Sequence, residues 1–247
     1  MLGLYTTLMA ASLLVAVALV EASSADPPTY RCVKVASPPR IDGNVNDAAW
    51  RRIKAVKPFI LHDGSGPAMR QTEARMCWDD HCLYIAFVCE DPDIWGTFTK
   101  RDDPIYEEEA VEVFLDPDCD LKHYYEINMS PRNVVFDAHV TNSSGVGPDR
   151  GSWAKWDCAG LKTAVRIEGT LDDRTDRDTR WTVEMAIPFK SLDEAGNSHP
   201  KPGDVWLANL YRIDRTPEPE HSCWSPTLRH PPAFHVPSRF GRLRFEK

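Results

Sequence analysis

The sequence predicts an all-β fold: an antiparallel β-sandwich with jelly-roll or immunoglobulin-like layers and one short N-terminal helix. Three observations predict it. Beyond the N-terminal apolar segment, short runs rich in β-branched and aromatic residues alternate apolar and polar side chains with a period of two. Pro, Gly, Asn and Asp interrupt these runs. Helical periodicity is confined to one brief stretch, "NVNDAAWRRI". Many strands at such spacing, with no helices between them, pack as layered sheets around one core.

The elements follow in chain order. Residues 1–25 begin with the apolar run "LGLYTTLMAASLLVAVALV" and end in small residues, which reads as a secretory signal peptide. No Lys or Arg precedes the run, so an uncleaved N-terminal anchor is the competing reading. No Cys sits at either possible cleavage site, Val20-Glu21-Ala22 or Ser23-Ser24-Ala25, which argues against a lipoprotein. No later segment is long enough to span a bilayer, so no membrane partner is expected once the signal is removed. Residues 26–247 are expected to form a single domain. Strands are predicted near 31–36, 56–61, 71–78, 82–90, 109–116, 123–130, 133–140, 160–168, 179–187, 205–213 and 240–246. The helix follows the first strand, with Asn46 or Asp47 as its N-cap. "TNSSGVGPDRGS" (141–152) reads as a surface loop that contains the sequon Asn142-Ser-Ser. "TPEPEHSCWSPTLRHPPAFHVPSR" (216–239) is a long Pro-rich loop whose Trp224 and Phe234 predict packing against the sheet.

Charge and cysteines narrow the partners. The chain of 247 residues has a formal net charge of −8. That argues against nucleic acid, which favours a basic face, and permits cationic ligands and divalent metals. Seven Cys in an exported chain favour disulfides. Cys77 and Cys82 bracket "WDDH", a hairpin loop, and are expected to face each other as a bridge. Cys89 shares a face with Leu83, Ile85 and Phe87, which predicts a buried free thiol.

Several strands are too polar on one face. In "AVEVFLD", Val111, Val113 and Leu115 point to the core, and Glu112 lies on the opposite face with Ala110 and Phe114. In "HYYEINMS", Glu126 and Asn128 share a face with Tyr124. In "WLANLYRID", Asn209 and Tyr211 share one with Leu207 and Ile213. A solvated outer face explains this pattern without function. A sugar site explains it too, because aromatic planes cover the C–H face of a pyranose and polar groups take its hydroxyls. Eight Trp supply further rings, of which Trp95, Trp153, Trp156 and Trp224 lie in turn-rich contexts.

"PPRIDGNVNDAAW", "WDDHCLYIAFVCEDPDI", "YEEEAVEVFLDPD", "YYEINMSPRNVVFDA", "WTVEMAIPFKSL" and "FHVPSRFGRLRF" occur in that order. Together they resemble the family-nine carbohydrate-binding modules and their DOMON-related relatives, over nearly all of residues 26–247. The resemblance implies a β-sandwich that clamps a terminal sugar between two aromatic rings. Tyr106 and Phe234 occupy the ring positions, where the family examples carry Trp. It further implies Glu112, Asn128, Asn209 and Tyr211 as ligand-facing residues. Glu126 stands where a basic residue would be expected. Family members carry structural calcium, and Asp116, Asp118 and Asp120 in "DPDCD" alternate like the start of a calcium loop, although Leu121 replaces the glycine of its sixth position. "EDPD" (90–93) is a second candidate, and turn-forming acids at strand ends are the plainer account of both.

The resulting expectation is a secreted, monomeric, non-catalytic domain that binds a glycan or oligosaccharide and serves polysaccharide catabolism. Two alternatives belong to other classes. A haem-binding or electron-transfer DOMON-like domain would use Met129 and His123 as axial ligands. A glycoside hydrolase would use two carboxyls among Glu107, Glu112 and Glu126.

Overall fold

The computed structural model describes residues 26–151 and 156–247, so the expected signal peptide and Trp153 lie outside the described residues. The alternating runs form β1 (Thr29–Lys34), β2 (Ile60–Leu61), β3 (Thr72–Trp78), β4 (Cys82–Glu90), β5 (Ala110–Asp116), β6 (His123–Met129), β7 (Val135–Thr141), β8 (Lys162–Glu168), β9 (Arg180–Pro188), β10 (Val205–Asp214), β11 (Glu220–Cys223) and β12 (Gly241–Glu246). One helix, α1 (Ala48–Arg51), follows β1. Asp47 caps it by accepting from the backbone N–H groups of Ala49 and Trp50.

The strands form one curled sheet in the order β7-β6-β5-β10-β12-β1-β3-β4-β9-β8, with β11 and β2 attached beside β10. Two layers face each other across the core, and β12 and β1 carry the ladder from one to the other. β1 pairs in parallel with both β12 and β3, whereas the remaining neighbours are antiparallel. The sandwich is therefore mixed rather than purely antiparallel. Val111, Val113, Leu115, Ile127 and Met129 from one layer meet Met76, Ile85, Phe87, Val183 and Met185 from the other. These are the inward positions of each alternation.

The segment after β1 folds around a buried acid. Backbone N–H groups of Asp42 (2.8 Å), Gly43 (2.6 Å) and Asn44 (3.2 Å) donate to Glu184 Oε2, and Trp50 Nε1 donates to its Oε1 at 2.6 Å. Successive N–H groups turned onto one carboxylate form an anion-binding nest. Gly43 permits the turn, since its φ is +81° and an added Cβ would lie 3.0 Å from Arg166 Cβ.

The outer face of β7-β6-β5-β10 is covered rather than solvated. Phe114, Tyr124, Ala138, Val140, Tyr211 and Ile213 pack against Cys223, Phe234 and Phe240 in a second, smaller core. The covering segment includes β11, which sequence reading left inside the Pro-rich loop. Trp224 lies against Gly241, where an added Cβ would come within 2.6 Å of the indole. The Asn142 side chain is also inside, donating to the Tyr124 hydroxyl and the His235 carbonyl, both at 3.2 Å. The amide that would carry a glycan is thus already committed.

The register corrects the expected disulfide. Cys77 pairs with Tyr84 and Trp78 with Leu83, so Cys82 falls two positions along from the residue opposite Cys77. A diagonal neighbour of this kind lies about 7–8 Å away, beyond ordinary disulfide reach. Both thiols are free, Cys77 in the core and Cys82 half-buried, and Cys89 is free and buried as expected.

Candidate functional site

The acid-rich stretch before β5 distributes its carboxylates to separate tasks. Glu107 is exposed at the surface. Glu108 accepts from the Thr97 and Phe98 backbones, at 2.7 and 3.4 Å, and fixes that loop. Glu109 turns inward to Arg212. Glu112 points to the outer face, and pairing of Glu112 with Asn128 and of Phe114 with Glu126 puts both glutamates on the same side of adjacent strands.

A 3₁₀ turn (Ile105–Glu107) lifts Tyr106 to the rim of this face. Its ring is 37% exposed and meets Phe136 edge-on, with centroids 5.2 Å apart. The covering segment brings Phe234 from the other side. Phe234 is only 8% exposed and stacks on Tyr211, with centroids 4.1 Å apart and planes 15° apart. The Tyr211 hydroxyl donates to the Phe234 carbonyl at 2.9 Å, which holds both ring and backbone. Tyr106, Phe136, Phe234, His235, Glu112 and Glu126 line a cavity of about 370 Å³.

The electrostatics of this cavity are unusual. Glu112 and Glu126 are 2% and 4% exposed. Burial, and then the neighbouring Glu126, push the Glu112 carboxyl well above the usual range. Burial raises Glu126 to about 7, against a hydrogen bond from Asn128 that favours the ionised form. Burial also lowers His235 to about 4, and burial with nearby Arg215 and His62 lowers His221 to about 4. Both imidazoles are neutral near pH 7, so neither offsets the carboxyls.

The remaining expected residues fall at different distances from the cavity. Asn128 sits behind it, and its Nδ2 donates to Glu126 Oε1 at 2.8 Å. Tyr211 supports Phe234 from beneath. Asn209 is directed elsewhere: it donates to the Ser225 carbonyl (2.8 Å) and accepts from the Ser225 N–H (3.0 Å), clasping the covering loop to β10. Phe136, His221 and His235 were missed. Phe136 lies on the outer face of β7, beside the Asn128 position, and its alternation was the available signal. Of the rings in turn-rich contexts, Trp156 packs on Tyr125 at 4.7 Å, Trp95 lies under Arg174, and Trp224 lies against Gly241.

A larger groove of about 860 Å³ crosses the outer face of β3, β4, β8 and β9. No aromatic ring lines it among the described residues. Glu73 and Glu168, two of its three acids, are already paired, with Arg75 (3.1 Å) and Arg180 (2.8 Å). It offers a pyranose no stacking surface, so the smaller, ring-lined cavity is the candidate site.

Asp116, Asp118 and Asp120 converge, with one carboxylate oxygen of each within 4.8 Å of the others. Asp116 Oδ1 is buried without a hydrogen-bond partner, and burial raises the Asp116 carboxyl to about 7. A divalent cation would satisfy that oxygen, so these residues fit one. Leu121 adopts the left-handed conformation (φ 64°) that a glycine would take more easily. In "EDPD", by contrast, Asp91 is held by Arg212 and Trp181 and Asp93 by Arg174, so its acids do not converge. The haem pair also separates. His123 and Met129 lie six residues apart on one strand, about 20 Å at 3.3 Å per residue. Met129 is in the core, and His123 Nδ1 is 2.6 Å from Asp120 Oδ2. They cannot both ligate one iron.

Comparison with known proteins agrees with this architecture. A family model for carbohydrate family 9 binding domain-like proteins matches residues 41–247. Endo-1,4-beta-xylanase A of Thermotoga maritima is 26% identical over 213 residues, covering 85% of this chain and 17% of the xylanase. Exoglucanase XynX of Acetivibrio thermocellus is 30% identical over 154 residues, covering 62% of this chain and 12% of the exoglucanase. The chain therefore spans only a small part of the length of these relatives. Among solved structures, a protein from Bacteroides uniformis superposes with a TM-score of 0.70 at 18% identity, over 90% of this chain and 100% of its own. A family 9 carbohydrate binding module from Caldicellulosiruptor kristjanssonii, in complex with cellotriose, superposes with a TM-score of 0.57 at 18% identity, over 88% of this chain and 94% of its own. At such identities the likeness is one of fold.

Proposed function

The chain belongs to the carbohydrate family 9 binding domain-like family, and from that premise we propose that it is an exported, monomeric module that holds a glycan end between Tyr106 and Phe234 without cleaving it. One observation carries this reading: the rings of Tyr106, Phe136 and Phe234 and two buried carboxyls, supplied by segments far apart in sequence, line one cavity at the rim of the sheet. Rings give a pyranose its apolar contact, and carboxyls give its hydroxyls directional acceptors. Among the described residues no helix is long and apolar enough to cross a membrane. The xylan- and glucan-degrading names of the relatives support an association with polysaccharide catabolism.

Tyr106→Ala is expected to weaken binding of cellotriose or xylotriose about tenfold. Losing one ring face removes roughly 1–2 kcal/mol of apolar contact, and about 1.4 kcal/mol is tenfold. The half-exposed ring contributes little to folding, so the melting temperature should hold. Tyr106→Trp is expected to bind at least as well. Titration calorimetry beside thermal melts checks both, and unchanged affinity in Tyr106→Ala rejects the clamp. Phe234→Ala is a poorer probe, because the ring also packs the covering segment onto Tyr211.

We also propose that Asp116, Asp118 and Asp120 hold calcium. This cluster ends β5 at the opposite end from Tyr106, so the ion would brace the strand end rather than touch the sugar. Calcium at about 100 times its Kd is expected to stabilise the fold by about 2.7 kcal/mol through mass action. Melts in chelator and in millimolar calcium measure this, and Asp116→Asn should abolish the difference.

A further inference from the structure

The two carboxyls in the cavity are left short of donors and of positive charge. Among the described residues, Glu126 Oε2 is buried with no hydrogen-bond partner, and Glu112 beside it is 2% exposed. Glu126 Oε1 accepts only from Asn128 among the described residues. His235 Nε2 stands 3.8 Å from Glu126 Oε2, beyond hydrogen-bond reach, and Nδ1 of that ring is taken by the Tyr124 hydroxyl at 2.8 Å. Among the described residues, no Lys or Arg lines the cavity. Arg215 is near enough to favour ionisation of Glu112, but its Nη2 faces the Tyr106 carbonyl at 3.4 Å and it stays outside the lining.

Neutral hydroxyls could hydrogen-bond to these oxygens but would supply no charge to offset the burial and mutual repulsion that oppose their ionisation. An ammonium group does more. Its N–H groups can make charge-assisted hydrogen bonds to the orphaned Glu126 Oε2 and to the Glu112 carboxylate beside it. Its charge allows two adjacent buried carboxyls to ionise, which burial and mutual repulsion otherwise oppose. The rings of Tyr106, Phe136 and Phe234 line the same cavity, and an aromatic face attracts a cation as well as a sugar ring.

We propose that this cavity selects an amino sugar with a free ammonium group, the unit of a deacetylated chitin-type polymer, over its neutral counterparts. The proposal rests on the sugar-binding reading above and assigns Glu112 and Glu126 as the residues that set its specificity.

Titration calorimetry at neutral pH with three trisaccharides tests it: the β-1,4 glucosamine trimer, its N-acetylated form and cellotriose. The glucosamine trimer is expected to bind at least tenfold more tightly than either of the others. Glu126→Gln and Glu112→Gln, checked by thermal melts for folding, should each bring the amino and neutral sugars within about twofold of one another. If cellotriose binds and the glucosamine trimer binds no better, the selectivity is overturned and the sugar site stands. If none of the three binds, the sugar site itself falls. If the preference survives both glutamine variants, its assignment to these two carboxyls is overturned.

Discussion

Arg212→Ala is expected to lower the unfolding free energy by about 3–5 kcal/mol, a large fraction of the stability of an ordinary domain. The guanidinium is 1% exposed, and Nη2 reaches Asp91 at 2.8 Å, Asp214 at 3.1 Å and Glu109 at 3.2 Å. Each carboxylate is anchored by a second donor. Trp181 Nε1 binds Asp91 at 3.1 Å, the Arg215 N–H binds Glu109 at 2.5 Å, and Thr216 binds Asp214 through its N–H (3.0 Å) and hydroxyl (2.6 Å). Removing the arginine leaves three buried acids, with oxygens within 4.8 Å of one another, and only the more distant Arg70, 3.9 Å from Asp214 Oδ1, as a counter-charge among the described residues. They would have to take up protons or admit water. Burial already raises Glu109 to about 8 with the arginine present. Arg212→Lys should recover only part of the loss, because an ammonium cannot reproduce the guanidinium plane that lies 5.2 Å over the Trp181 ring. Chemical denaturation of the three proteins measures the series. A loss below about 1 kcal/mol in Arg212→Ala would mean that the native cluster is held by its other donors.

Glu184→Ala is expected to cost about 2–4 kcal/mol, because it strands buried donors rather than merely removing a contact. The Gly43 N–H and Trp50 Nε1 have this carboxylate as their acceptor, and both hydrogen bonds are buried. Glu184→Gln keeps an oxygen for one of these donors but replaces the other acceptor with an NH₂ group, which cannot take the backbone N–H groups. The glutamine variant is therefore expected to lie between wild type and alanine. Denaturation midpoints give the order. A stability of the glutamine variant equal to wild type would show that the backbone nest is not what the charge supports.

The sequence made the strands legible because burial writes itself as alternation. Val111, Val113 and Leu115 on one side, against Glu112 and Phe114 on the other, leave little freedom for the register of β5. It made Tyr106, Glu112 and Phe234 legible through ordered motifs rather than through local pattern. What stayed hidden depends on contacts between distant segments. "EHSC" is too short and polar to announce β11, which exists because β10 and β2 offer it partners. Asn209 reads the same whether it faces a ligand or clasps a loop, and only the position of Ser225 decides. The Cys77–Cys82 bridge failed on the length of one turn, since a register shift of two residues leaves the alternation intact. The orphaned state of Glu126 was equally hidden, because it depends on where His235 and Arg215 point.

The seam between β1 and β12 has a mechanical meaning. The two strands run in parallel, with Thr29 beside Arg242 and Val33 beside Glu246. Residues before β1 leave from one end of this ladder, and the residue after β12 leaves from the other. Tension applied across these two ends therefore slides the strands past each other along their length. Every backbone bond of the seam bears load at once, and none can be peeled open ahead of its neighbour. The pairing that closes the sandwich is also its shear joint.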